Sequence, residues 1–244
     1  MSVILGSARI DENGHARGGR AGDQTGKEVS TQKYYVHTKG WRVFRARNPE
    51  QAELIAQDMQ YACNNKNIGY DQNQRESLYT VSKPLAFNCS KVTSKCETDC
   101  SALVRVCCAY AGISLPNFRT SNEASVLLKS GAFVELKGEK YTKSQKYLCR
   151  GDILVTRTQG HTVVVLSNGA NAADNEAPID FNNILVTGKS VYVRTGAGVS
   201  FSPLGVVHAK DVFPYLGECV GGWYEVKYKS HIGWISSKYS ILTN

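Results

Sequence analysis

No run of eighteen apolar residues occurs in this 244-residue chain, so the sequence offers no membrane-spanning helix and no membrane insertion is expected. Met1-Ser2-Val3-Ile4-Leu5-Gly6 has neither the charged region nor the long apolar core of a secretory signal, so synthesis in a cytoplasm is expected. No Cys-x-x-Cys pair occurs, and Cys89, Cys96, Cys100 and Cys107 match no familiar zinc spacing, so neither a metal nor another cofactor is expected. The 8 cysteines are expected to be mostly free thiols, because the chain is too large for a disulfide-stapled secreted domain. Gly22-Asp23-Gln24-Thr25-Gly26-Lys27-Glu28 lacks the terminal Gly-Lys-Ser/Thr of a phosphate loop, which argues against a nucleotide site. Acidic residues are the scarcer charge: 29 Lys+Arg stand against 21 Asp+Glu, a net of +8. That balance suits a polyanionic surface such as a cell wall, nucleic acid or anionic lipid, but no aromatic-interleaved basic stripe accompanies it, so nucleic acid is not expected as a partner.

What is present centres on residues 98–112. Asp99 is a natural N-cap, and Leu103, Val104, Cys107, Cys108 and Ala111 follow Cys100 at the spacing of one helical face, with Gly112 able to close the helix. Cys100 thus sits in the first helical turn, where unpaired N–H groups and the helix dipole favour a thiolate. Taken alone, such a cysteine is most simply core. A base is available downstream: Gly151-Asp152-Ile153-Leu154-Val155-Thr156 and His161-Thr162-Val163-Val164-Val165-Leu166 read as a hairpin with His161 opening its second strand.

The rest of the first 178 residues reads as helices and strands in mixture. Trp41-Arg42-Val43-Phe44 is a short strand, and Asn48-Pro49-Glu50 caps a helix whose stripe runs through Ala52, Ile55, Ala56, Met59, Ala62 and Cys63. Further helices are expected over 75–83 and 122–129, then a strand over 133–136. Helices come first in this reading and strands after, an α+β order. Residues 6–27 are too rich in glycine and charge for long regular structure; they form either a flexible arm or a segment holding Asp23 and Gln24 near the cleft, where Gln24 donates to an oxyanion and Asp23 holds a substrate ammonium group.

Asp99-Cys100-Ser101-Ala102-Leu103-Val104 resembles the nucleophile box of the NlpC-type cell-wall cysteine peptidases, and Gly151-Asp152-Ile153-Leu154 with Gly160-His161-Thr162-Val163 resembles their histidine hairpin. The resemblance implies a papain-like α+β domain of NlpC/CHAP type, with Cys100 as nucleophile, His161 as base, and Asp99 and Ser101 among the substrate-binding residues. Residues 6–27 are also similar to leaders of some phage and clostridial lysins. The pattern departs at the third catalytic residue, where Ala173 occupies the family's usual position; Asn168 and Asp174 are the alternatives, with Asn168 preferred.

Residues 167–178 are small, polar and without period, which marks a boundary between a catalytic domain over 1–178 and a module over 186–244. The module holds nine aromatics but one cysteine. Its four boxes, Val191-Tyr192-Val193-Arg194, Leu204-Gly205-Val206-Val207, Gly222-Trp223-Tyr224-Glu225 and Ile232-Gly233-Trp234-Ile235, are similar to the bacterial SH3 repeat, which implies a small all-β SH3-like barrel with Trp223 and Trp234 in a wall-binding groove. Together the resemblances imply a peptidoglycan hydrolase of endolysin or autolysin type, by default an endopeptidase cutting between γ-D-glutamate and the diamino acid. The alternatives are a CHAP-type N-acetylmuramoyl-L-alanine amidase and a wall-binding protein without activity. Peptidoglycan is the expected partner, reached by phage lysis or after removal of a leader; the sequence leaves the oligomeric state open.

Overall fold

Three strands precede the first helix, so the order differs from the helices-first expectation. They are β1 (Ile4–Ala8), β2 (Val29–Lys33) and β3 (Trp41–Ala46), followed by α1 (Pro49–Asn64) and β4 (Ile68–Tyr70). Next come α2 (Ser77–Ser82), β5 (Cys96–Thr98), α3 (Cys100–Tyr110), α4 (Glu123–Lys129), β6 (Phe133–Leu136), β7 (Ile153–Thr156) and β8 (Thr162–Val165). This computed structural model describes residues 2–22, 24–158, 160–174 and 183–243. The chain divides into two units, Met1–Val126 with Val134–Asn175, and Leu127–Phe133 with Glu176–Asn244.

In the first unit the sheet runs β2-β1-β8-β7-β3-β6, and β1 sits beside the histidine strand with Leu5 opposite Val165 and Gly6 opposite Val164. The short apolar Ile4–Ala8 stretch thereby becomes an inner strand of the sheet, bonded on both sides. The two long helices α1 and α3 pack on each other and on β1 and β8. The approach of α1 to β1 is close: a Cβ on Gly6 would stand 2.7 Å from Met59 Cγ and 2.9 Å from Leu166 Cδ1, so a larger residue there forces these side chains to shift. On the alternate positions Leu5, Val163, Val165, Leu154, Val43 and Trp41 form a separate buried cluster. The α1 cap is as expected, with Asn48 Oδ1 accepting from Glu50 N at 2.7 Å and Pro49 at the first position.

Residues 9–22 and 24–28 are irregular but bonded to the domain, which corrects the reading as a flexible arm. Gln72 N donates to Gly18 O at 2.8 Å, and Gly22 N donates to Glu97 Oε1 at 2.8 Å. Buried Glu28 turns the end of the segment, accepting from Thr25 N at 2.9 Å. The Glu97 side chain on β5 and the backbone just after β4 thus tie down this stretch.

The Gly151-Asp152 dipeptide also has a structural explanation. Asp152, 1% exposed, takes a two-pronged ion pair from Arg45 Nε and Nη2, both at 2.7 Å, and accepts from Cys149 N at 2.8 Å. A bidentate guanidinium–carboxylate pair of this kind fixes the turn into β7, and with it the position of the hairpin.

The second unit is all-β: β9 (Asn183–Val186), β10 (Val191–Arg194), β11 (Pro203–Val207), β12 (Val212–Val220), β13 (Trp223–Tyr228), β14 (His231–Ser236) and β15 (Ser240–Thr243). The strand order is β11-β10-β14-β13-β12-β9-β15. Along β13 the period is two: Tyr224, Val226 and Tyr228 are buried against Val193 and Ile235, while Lys227 is exposed.

Candidate active site

Cys100 is the first residue of α3, delivered there by β5, which pairs in parallel with β4 and ends two residues before it. Asp99 caps the helix in extended conformation, its Oδ1 accepting from Ala102 N at 2.8 Å. Cys100 is buried, at 8% exposure, with the backbone N–H groups of Thr162 and Ser101 near its sulfur. Thr162 is the residue after His161, so the fold brings the helix start against the histidine strand.

Burial pushes the Cys100 thiol well above its ordinary range; Asp99 and Glu123 push the same way, and the two N–H groups offset only part of this. The position therefore holds a thiol, where the helix start alone favours a thiolate. Desolvation of a charged sulfur outweighs the attraction of a few amide dipoles. Burial also pushes the His161 imidazole down to about 4, with His37 and Arg9 adding to the shift. Near neutral pH His161 is then an uncharged proton acceptor.

His161 Nε2 lies 3.3 Å from Ser7 Oγ. Ser7 is buried in β1 and shares a face with His161 because β1 pairs with β8. Sequence patterning contains no sign of this contact, since it joins residues 154 apart. Asn168 is not the partner: it lies beyond the other end of β8, exposed, with Oδ1 accepting from Arg150 N at 2.8 Å. The intervening strand, Thr162–Val165, holds the two apart at about 3.3 Å per residue. The Asp174 side chain and Asp23 lie outside the described residues.

Gln24 does not reach Cys100 either; its Nε2 donates to Cys96 O at 3.2 Å and to Glu97 Oε1 at 2.5 Å. Asp99 and Ser101 do line a pocket with Cys100, of about 390 Å³, but their polar atoms are committed within the protein. Ser101 Oγ donates to Asp99 Oδ1 at 2.9 Å, and buried Arg75 donates to both. These two residues hold the helix start in place. The same pocket is lined by Gly160, of the histidine motif, and by Lys39, Gln72, Arg119 and Thr120, which the sequence did not single out.

Glu123 is a further buried acid beside the site, fully inaccessible, with Oε1 accepting from Thr162 Oγ1 at 2.8 Å and Oε2 without a hydrogen-bond partner. Burial pushes its carboxyl up to about 8, against the opposing pull of the Thr162 hydrogen bond. Between its ordinary 4.5 and 8 the unfolded chain has released this proton while the folded chain keeps it. Stability must therefore fall as pH rises through that window, by up to about 1.4 kcal/mol per pH unit from this group alone. Glu123→Gln, which stays uncharged and keeps the Thr162 bond, is expected to show a shallower loss of Tm between pH 5 and 8 than the wild type; equal slopes would contradict the assignment.

In the second unit Trp223 and Trp234 are half-buried and project from the face opposite the core. Trp234 lies opposite Glu225 on one side and Arg194 on the other, and Arg194 covers exposed Tyr192 at 5.1 Å. Trp223, opposite Ser236, is the diagonal neighbour of Trp234 on this face.

Among the described residues no helix is long and apolar enough to cross a membrane, and all eight cysteines are free thiols. No curated protein matches the chain. Residues 189–240 match the family model of a bacterial SH3 domain. Residues 5–172, more than half of the chain and all of the elements that build the Cys100 pocket, match that of an endolysin-like domain, and the chain belongs to that family.

Proposed function

We propose that this chain is a peptidoglycan hydrolase that cuts a stem-peptide amide, by Cys–His nucleophilic catalysis, between γ-D-glutamate and the diamino acid. An endolysin-like domain joined to a bacterial SH3 domain supports wall hydrolysis. The observation that carries the mechanism is Cys100 at the first helical position, in a pocket lined also by Gly160, the residue before His161.

His161 Nε2 is paired with Ser7 Oγ, and in the tautomer that carries its proton on Nε2 the Nδ1 lone pair accepts the thiol proton. As that proton moves, Sγ bonds to the carbonyl carbon and the carbonyl oxygen becomes an oxyanion. The Cys100 N–H, which has no acceptor within the helix, is the donor offered to it. Collapse breaks the C–N bond as His161 returns the proton to the leaving amine. Water then adds to the thioester, giving its proton to His161, and the sulfur leaves and is reprotonated. The SH3 unit raises the local concentration of cleavable peptides through attachment to the wall, with Trp223, Trp234 and Tyr192 as its contact face.

Digestion of purified sacculi, with mass spectrometry of the released fragments, tests this reading. New amino termini on the diamino acid are the expected product; release of intact stem peptides with L-alanine at the terminus would indicate an amidase instead. Ser7→Ala is expected to lower kcat on a synthetic stem peptide by roughly 3- to 10-fold, the scale of one neutral hydrogen bond. Asn168→Ala is expected to stay within about twofold of the wild type on that scale. The reverse pattern would return the orienting role to Asn168.

A further inference from the structure

We infer that Glu123 is a positioning residue for Cys100: uncharged, it lets negative charge form on the sulfur, and ionised it suppresses that charge, so that alkaline conditions silence the nucleophile. Its part in hydrolysis rests on the reading of Cys100 given above. Glu123 opens α4 and Cys100 opens α3. Thr162 of β8 meets both, for its Oγ1 donates to Glu123 Oε1 at 2.8 Å and its backbone N–H is near the Cys100 sulfur. Glu123 is 0% exposed, and its Oε2 has no hydrogen-bond partner among the described residues. With both groups buried, a charge on one is felt strongly at the other.

The groups that face Glu123 are Thr162 from β8, Asp99 and Cys100 from the start of α3, Cys108 from further along that helix, and Arg75 from the segment before α2. The cation among them, Arg75, directs its N–H groups to Asp99, Ser101, Phe118, Asn117 and Glu76 instead. An ionised Glu123 therefore adds to the Asp99 charge at the sulfur, and Arg75 offsets little of it. Burial keeps the Glu123 carboxyl protonated up to about 8, and burial also holds Cys108 as a thiol well beyond that pH. His161, held near 4, has lost its charge long before. Among these groups, the one whose charge changes beside Cys100 in the mildly alkaline range is Glu123.

The test is the rate of iodoacetamide labelling at Cys100 from pH 6 to 9.5, read by mass spectrometry of the peptide that contains it, in the wild type and in Glu123→Gln. The thiolate is the form that reacts, so both rates climb with pH. In Glu123→Gln the climb should continue to the end of the range, whereas in the wild type it should flatten above about 8. At pH 9.5 the wild type should then be slower by about tenfold, the scale of one neighbouring like charge. Unfolding cannot mimic this result, because it exposes the thiol and speeds labelling. Thr162→Val removes a hydrogen bond that favours the charged carboxylate, so it should move the flattening to higher pH. On a synthetic stem peptide, wild-type kcat/KM should fall above about pH 8 while that of Glu123→Gln holds. Parallel labelling profiles in the wild type and Glu123→Gln, or a flattening that Thr162→Val moves downward, overturn the role of Glu123 and leave the hydrolase reading standing. Labelling profiles as expected, with no peptide cut by the wild type, keep the effect of Glu123 on the thiol and overturn the hydrolase reading.

Discussion

Cys100→Ala is expected to abolish wall hydrolysis, with a loss on the order of 10³-fold or more, because it removes the sulfur that forms the covalent intermediate in the proposed mechanism. The change replaces a buried thiol by a methyl group at 8% exposure, so folding should be nearly unaffected. Wall binding should persist, since the aromatic face of the SH3 unit is untouched. Cys100→Ser should be almost as inactive, because in the same surroundings an alcohol is a weaker acid and a poorer nucleophile than a thiol. Turbidity loss of sacculi and co-sedimentation with them separate the two readouts. Substantial hydrolysis by purified Cys100→Ala would remove Cys100 from the chemistry.

Arg75→Ala is expected to be the most destabilising single change at the site. One guanidinium, 5% exposed, meets Asp99, Ser101 Oγ at 2.9 Å, Phe118 O at 2.6 Å, Asn117 Oδ1 at 2.7 Å and Glu76 Oε1 at 2.8 Å. It therefore joins the cap of the helix that Cys100 opens to the loop that carries Arg119 and Thr120. Its removal leaves the Asp99 carboxylate buried and uncompensated, a loss of about 3–5 kcal/mol. For a domain of this size that is a fall in Tm of roughly 6–20 °C. Arg75→Lys keeps the charge but not the fork, and should recover only part of the loss. Thermal unfolding followed by circular dichroism reads this directly; a Tm for Arg75→Ala within about 2 °C of the wild type would show that the network is dispensable.

Much of the architecture was legible in the linear order of residues. The Asp99 cap, the apolar face behind Cys100, the Asn48-Pro49 helix start and the β-rich runs flanking residues 157–160 are local patterns, and each appears where its spacing implies. The turn-punctuated aromatic runs after residue 186 likewise form an all-β unit. Hydrophobic period and capping are decided over a few residues, so the chain itself contains them.

The partners of the reacting groups were not legible, because they come from strand pairing and from burial. Ser7 meets His161 because β1 inserts beside β8, an adjacency no local pattern encodes, whereas Asn168 is close in sequence but separated along an extended strand. The protonation states reversed for a related reason: the helix start argues for a thiolate at Cys100, but desolvation, which depends on everything packed around the sulfur, makes it a thiol. Glu123 and Arg75 carry no motif, and one is an uncharged acid and the other a structural hub only because both are buried. The sequence determined which residue types stand at a helix start and a strand start; tertiary packing decided which groups face them and in what charge state, because contact and dielectric are properties of the folded interior.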